Sequence, residues 1–367
     1  MKKTKVALCG GGTGGHVFPL VDVARSLKKL SPQVQIYFVG PEEFSLASLR
    51  QEGIRVKKII AAGKLRRYFS LWYLWELFKL PWAAIQSFLT IFFINPDAML
   101  GKGSYGSVLP ILSARILGKK IILHDSDVRP GAANRFLAKF VKNIAVSFEE
   151  TTQFFPRKNI IVTGNPIRHN YINITRPEAE KALAFTSEKP IIFISGGSQG
   201  AQKINKTIHD SLEKLLEKYA VIWSVGANNL ETIKHSVSNN NTDLKIIGLL
   251  GEKELAAAYM LCDIVIGRAG SGTIFEAAAF GKSAILIPLE RRAGDQPLNA
   301  KAYAGTGAAL VLKEAELNPA TLLSAVEYIL SSREEMNLMS QNAQKFAKIE
   351  AGENLAKILL NLATRNK

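Results

Sequence analysis

Cysteine is nearly absent from this 367-residue chain: there are two, Cys9 and Cys262. Two cannot build a disulfide framework or a four-ligand zinc site. Histidine is also scarce, five in all, and none stands in an HExxH or HxxxH pattern. An all-protein metal cage is therefore not expected, and no metal ligand is assigned. An export signal is not expected either. The chain opens with two lysines and a short apolar run that flows straight into glycines, which reads as a first β-strand. With so few cysteines, the expectation is a cytoplasmic protein. Acidic residues are outnumbered, 31 against 47 Lys plus Arg, for a net charge of +16. A basic surface attracts polyanions: nucleic acid, anionic lipid or phosphorylated substrates. Solubility or a lysine-favouring genome explains the charge equally well at this point. Hydrophobic residues at 47% and charged residues at 21% exclude a disordered chain. At about 150 residues per domain, the length predicts two domains.

What is present is alternation. Apolar runs at Lys5–Cys9, Val34–Val39, Ala98–Leu100, Lys120–Leu123, Asn143–Val146 and Ile160–Thr163 predict strands, with Val17–Leu30 a helix. A second series follows at Pro190–Ser195, Val221–Val225, Leu244–Ile247, Ile264–Ile266, Ala284–Ile287 and Ala308–Leu312. Helical stretches separate most of them, so the strands belong to parallel sheets covered on both faces. The plan restarts after the polar stretch beginning at Gly164. This divides the chain into an α/β domain at 1–163 and another at 164–349, each Rossmann-like. A last helix, about 350–367, is placed to cross back onto the first domain.

One segment departs from the plan. Residues 64–95 hold Trp72, Trp75 and Trp82, three of the four tryptophans, beside Arg66, Arg67 and Lys79. Glu76, Lys79 and Pro81 make it a poor transmembrane helix. Aromatic residues flanked by cations fit a helix lying in a membrane interface; a buried helical hairpin of the core is the alternative.

Four glycine clusters follow strands: Gly10–His16, Gly101–Gly106, Ser195–Gly200 and Gly267–Thr273. The first satisfies GxGxxG through Gly10, Gly12 and Gly15. Such loops let backbone approach a phosphate at a helix N-terminus. The acidic residue expected of a dinucleotide site is not clear, since the second strand ends Val39-Gly40-Pro41. His16 stands at the helix start, where the dipole lowers a histidine pKa. A neutral imidazole there suits a base or a hydrogen-bond donor, or simply a capping side chain. Two anion loops in each half can hold two phosphorylated molecules, whereas a dehydrogenase needs one such site.

These residues carry a resemblance. GGTGGHVFP at 11–19, GSYGS at 103–107, GNPIR at 164–168, GGSQGAQKIN at 196–205, RAGSGTIFEAAAFGKSAILIP at 268–288 and DQPLNA at 295–300 together resemble the MurG family, with motifs in family order from about residue 5 to 350. The resemblance implies a GT-B fold of two Rossmann-like domains facing a central cleft, an inverting reaction and no essential cofactor or metal. It implies transfer of N-acetylglucosamine from UDP-N-acetylglucosamine to a polyprenyl-diphosphate-linked muramyl-pentapeptide. The enzyme would work at the cytoplasmic face of the cell membrane, docked on an anionic surface through the 64–82 segment, with no nucleic-acid partner.

By the same resemblance, Glu276 takes the ribose hydroxyls and Ser271, Gly272 and Thr273 cradle the donor diphosphate. Ser198 and Arg168 are further diphosphate contacts, Leu250 reads the uracil, and Gln296 and Asn299 read the sugar. Thr13, Gly14 and Gly15 fall at both donor and acceptor sites. Lys102, Ser104 and Tyr105 join the acceptor-diphosphate loop. Asp127, standing where the family has an asparagine on the donor sugar, joins the donor contacts; His16 is the candidate base and Asp127 the alternative. The chain departs from the family pattern at His124-Asp125-Ser126-Asp127, where HEQN is usual, and at Ser104, where glycine is common. Asp127 then needs a cationic partner, with Arg168 or His124 expected. The competing readings are a related lipid glycosyltransferase using another UDP-sugar or acceptor, a dinucleotide-binding oxidoreductase, and an inactive membrane scaffold.

Overall fold

The structure, a computed structural model, describes residues 3–11, 14–41, 46–60, 72–156, 158–196, 201–237, 241–290 and 295–364. The chain divides into two compact units, 1–167 with 349–367, and 168–348. Among the described residues the first unit holds a parallel sheet of seven strands: β1 (Lys5–Cys9), β2 (Gln35–Pro41), β3 (Arg55–Ile59), β4 (Ala98–Gly101), β5 (Lys120–Asp125), β6 (Asn143–Val146) and β7 (Asn159–Val162), in the order β3-β2-β1-β4-β5-β6-β7. Val6 of β1 sits between Ile36 of β2 and Ala98 of β4. The second unit repeats the plan with β8 (Ile191–Ser195), β9 (Ala220–Ser224), β10 (Leu244–Ile247), β11 (Ile264–Gly267), β12 (Ser283–Leu286) and β13 (Ala309–Val311), in the order β10-β9-β8-β11-β12-β13.

Both orders reverse direction once, between β1 and β4 and between β8 and β11. Loops at such a point splay to opposite faces and leave a crevice at the carboxyl edge, where ligands of open α/β sheets bind. The four glycine clusters are the loops that follow these four strands. The central strands are apolar throughout because helices cover both sides; Val6, Leu8, Ile192 and Ile194 are all buried.

β3 was absent from the strand pattern read in the sequence. Its residues Arg55, Lys57 and Lys58 are largely exposed, and it is an edge strand paired only to β2 in the sheet order. An edge needs little apolar surface, and lysines there discourage pairing with another chain.

The Ala351–Thr364 helix packs on the Gly14–Leu30 helix, burying Leu355, Ala356 and Leu359 beside Leu20 and Ala24. Each buried leucine contributes about 2 kcal/mol. Gly352 permits this approach, since a Cβ there would lie 1.9 Å from Asp22 Oδ2.

The Trp72–Ile94 helix is two-faced. Ala83, Ser87, Ile91 and Ile94, at helical spacing, are buried in the first unit. Trp82, Ile85, Leu89, Phe92 and Phe93 form an apolar stripe left in the open, with Trp82 69% and Phe93 76% exposed. No helix of the described residues is long and apolar enough to cross a membrane.

Candidate active site

In the second unit, β11 ends at Gly267 and the Ser271–Ala279 helix begins three residues beyond Arg268, capped by Gly270 in extended conformation. The backbone N–H groups of Ser271, Gly272 and Thr273 lie in its first turn, where no carbonyl of the helix can reach them; this end favours an anion. Arg268 does not face that end as a free cation: it donates to Ile287 O at 3.2 Å and pairs with Glu314. Glu276 lies one turn beyond Gly272 on the same helical face, about 6 Å along the axis at 1.5 Å per residue.

The Glu276 carboxylate is held from two sides. Arg168 forks onto Oε1 through Nε at 3.0 Å and Nη2 at 2.9 Å, and the Tyr259 hydroxyl stands 3.4 Å from Oε2. Tyr259 is itself fixed, buried between Phe193, edge-on, and Phe280, stacked. Burial, and next the negative charge of Glu276, push its hydroxyl pKa well above the usual tyrosine value, so it stays a donor. Nothing in the sequence marked Tyr259, which stands in an alanine-rich helix among ordinary core residues.

Two predicted sugar readers brace this region. Asn299 is buried and donates to Ala269 O at 3.2 Å, pinning the loop after β11. Gln296 accepts from Leu289 N at 2.8 Å. Leu250 is buried beside Tyr259 in one core cluster. Ser198 lies outside the described residues.

In the first unit, the Gly14–Leu30 helix begins inside the first glycine loop. Thr13, Arg66 and Arg67 lie outside the described residues, and for His16, Trp72 and Trp75 only the backbone is described, as part of their helices. The loop after β4 meets the first loop closely: a Cβ on Gly106 would stand 2.6 Å from Pro41 Cδ and 3.1 Å from Gly10 O. Tyr105 and Gly106 open the Tyr105–Ile116 helix, with Ser104 as its cap at φ 66°, ψ 163°. That region is populated almost only by glycine, so Ser104 is strained, and its buried hydroxyl finds no hydrogen-bond partner among the described residues.

Lys102, expected among the acceptor-diphosphate contacts, is 2% exposed. Its Nζ lies 2.6 Å from His124 Nδ1, donates to Asn165 Oδ1 at 2.9 Å, and also donates to Ser126 Oγ. His124 Nε2 faces Gly164 O at 3.0 Å. A carbonyl only accepts, so Nε2 carries the proton and Nδ1 receives the lysine N–H. Burial first, and then the lysine charge, hold the imidazole pKa well below its usual value. His124, expected as a cationic partner for Asp127, is thus neutral, with both ring nitrogens engaged.

Asp125 organises the next loop. It accepts from Asn134 Nδ2 at 2.8 Å, Gly131 N at 3.2 Å and Asp127 N at 3.2 Å. Burial raises its pKa to about 6, against the lowering effect of Asn134. Burial lowers Lys102 to about 7, opposed by the charges of Asp125 and Asp127. The sequence flagged Lys102 and the His124–Asp127 run; it gave no sign that Asn134 and Asn165 complete the network. Among the described residues no three His, Cys, Asp or Glu side chains converge as a metal site.

Two parallel-sheet units of this order, each with paired glycine loops, define a class, and family models agree. Residues 6–146 match the glycosyltransferase family 28 N-terminal domain and residues 191–356 its C-terminal domain. The fold is GT-B-like. The UDP-N-acetylglucosamine–N-acetylmuramyl-(pentapeptide) pyrophosphoryl-undecaprenol N-acetylglucosamine transferase of Thermoanaerobacter sp. (strain X514) is 33% identical over 365 residues, covering 98% of this chain and 100% of that protein. The transferase of the same description from Borreliella burgdorferi is 33% identical over 366 residues, 98% of this chain and 97% of that one. The crystal structure of Acinetobacter baumannii MurG superposes with a TM-score of 0.75 at 25% identity, covering 98% of this chain and 99% of that one. The chain belongs to the MurG family of N-acetylglucosamine transferases.

Proposed function

We propose that this protein transfers N-acetylglucosamine from UDP-N-acetylglucosamine to the 4-hydroxyl of a polyprenyl-diphosphate-linked muramyl-pentapeptide, the step from lipid I to lipid II in peptidoglycan synthesis. The observation that carries the reading is the Ser271–Ala279 helix. One helical face presents an anion-binding N-terminus and, one turn on, a carboxylate able to accept two ribose hydroxyls, which is the spacing of a nucleoside diphosphate.

The donor occupies the C-terminal unit. The amides of Ser271–Thr273 carry the diphosphate, Glu276 takes the ribose, and Arg168, which steadies Glu276, is the nearby cation for the departing charge. The acceptor diphosphate uses the glycine loops after β1 and β4. The muramyl 4-oxygen attacks the anomeric carbon as the bond from that carbon to the diphosphate oxygen breaks, so configuration inverts and UDP leaves. A base takes the hydroxyl proton; His16 is the candidate, at the start of a helix whose dipole keeps an imidazole neutral, with Asp127 the alternative.

A polyprenyl acceptor stays in the bilayer, so the enzyme must come to it. The exposed stripe Trp82, Ile85, Leu89, Phe92 and Phe93 supports docking of the Trp72–Ile94 helix in the interface, and the net charge of +16 favours an anionic leaflet. The test is label transfer. Radiolabelled UDP-N-acetylglucosamine and a short-chain muramyl-pentapeptide acceptor should yield labelled lipid only when both are present. Label released as free sugar, with the acceptor unchanged, would overturn the reading.

A further inference from the structure

We propose that Tyr259 is a positioning residue for nucleotide recognition: its hydroxyl fixes the plane of the Glu276 carboxylate, so that neighbouring ribose hydroxyls can be accepted together, without itself touching substrate. This rests on the reading of Glu276 as the ribose contact.

Arg168 places two donors on one oxygen, Nε at 3.0 Å and Nη2 at 2.9 Å from Oε1. A fork on one atom sets where that atom lies, and it leaves the other oxygen able to swing about it. The Tyr259 hydroxyl meets that other oxygen, Oε2, at 3.4 Å. Holds on both oxygens define the carboxylate plane. Hydrogens donated to an sp² oxygen prefer to lie near that plane, so its orientation decides whether two adjacent hydroxyls can both reach it. At 3.4 Å the contact is long for O–H···O, and Tyr259 serves as a stop on the swing of Oε2 more than as a strong bond.

A stop has to be rigid, and Tyr259 is. It lies in the Glu252–Leu261 helix and is 1% exposed. The Phe193 ring of β8 stands edge-on to it with centroids 5.2 Å apart, and the Phe280 ring stacks on it at 5.5 Å with 12° between the planes. Phe280 follows Glu276 by four residues at the end of the Ser271–Ala279 helix, so the helix that carries the carboxylate also grips the ring. Packing alone would be served as well by phenylalanine. A hydroxyl in the core is costly unless it is partnered, and its partner here is Glu276.

The test is a double-variant cycle built on Tyr259→Phe, which keeps both ring contacts and removes only the hydroxyl. The preference for UDP over 2′-deoxy-UDP, read by titration, should fall by about fivefold, within the range of residues in contact. The KM for UDP-N-acetylglucosamine should rise by a similar factor while kcat changes by less than about twofold. In a Glu276→Ala background the same change should alter UDP affinity by less than about twofold, because no carboxylate is left to position. A loss that persists undiminished in that background would make Tyr259 merely structural or a direct nucleotide contact, and would overturn the proposal. An unchanged preference in Tyr259→Phe, with the preference gone in Glu276→Ala, would also overturn it and leave the ribose reading standing. A Glu276→Ala protein that keeps the preference would overturn the ribose reading and this proposal with it. Carboxyl 13C resonances give a readout independent of transfer. The Glu276 signal, identified by its absence in Glu276→Ala, should shift in nucleotide-free Tyr259→Phe; an unmoved signal refutes the hold on Oε2 even if the enzyme is active.

Discussion

Glu276→Ala separates two roles that the geometry gives to one carboxylate. In the free protein Oε1 takes both Arg168 donors, and the two side chains are 12% and 21% exposed. Such a pair lies between an exposed ion pair, worth up to about 1 kcal/mol, and a buried one, whose breaking costs about 3–5 kcal/mol. About 2 kcal/mol is the reasonable figure. For a unit of this size that lowers Tm by about 4–8 °C. In the donor complex the loss is different: hydrogen bonds from ribose hydroxyls to a charged acceptor are worth about 1.5–3 kcal/mol, or about 10–150-fold in affinity. Thermal melts and calorimetric titration with UDP read the two effects separately. Titration with 2′-deoxy-UDP isolates the ribose contact. Wild type should bind the deoxy compound more weakly than UDP, and Glu276→Ala should bind the two alike. A variant that keeps the discrimination would refute the ribose assignment, even if its overall affinity fell.

Three other outcomes follow from single observations. Ser104→Gly should raise stability by about 1 kcal/mol in denaturant melts, because φ 66° and ψ 163° suit glycine and the serine hydroxyl is buried without a partner among the described residues; no gain would mean the loop is unstrained. The folded-state pKa of Lys102 near 7 lies below its ordinary 10.5, so the unfolded chain binds more protons between those values and stability rises with pH there. From pH 7 to 9.5 this adds on the order of 3 kcal/mol, and Lys102→Met should lose that increment; an identical rise in both proteins would contradict the assignment. Replacing Trp82, Phe92 and Phe93 with serine should weaken sedimentation with anionic vesicles while turnover of a soluble acceptor persists, whereas equal vesicle binding would leave the stripe without a role in docking.

Most of the parallel strands were legible because their central positions are apolar in succession, as burial on both faces requires. The glycine loops were legible because glycine interrupts those runs. β3 was not, since Arg55, Lys57 and Lys58 break the pattern and an edge strand tolerates them. Strand order was also hidden: nothing local tells that β4 lies beside β1, yet this adjacency puts Gly10 and Gly106 in contact. Within the site, the sequence displayed charge but not burial. Lys102 read as a cation offered to substrate, whereas its Nζ is enclosed by His124, Ser126 and Asn165. Arg168 and Glu276 are 108 residues apart, so their pairing had no local signature. Tyr259 was indistinguishable from core until the fold set its hydroxyl against Glu276.

The stereochemistry of the product tests the central claim most directly. UDP-N-acetylglucosamine is an α-glycoside, and single displacement by a muramyl 4-hydroxyl inverts it. Proton coupling at the new anomeric centre, measured on purified product from the short-chain acceptor, should show a β-1,4-linked disaccharide with the acceptor diphosphate retained. An α-linkage, a sugar joined elsewhere on the acceptor, or conversion of the donor sugar without transfer would contradict the account.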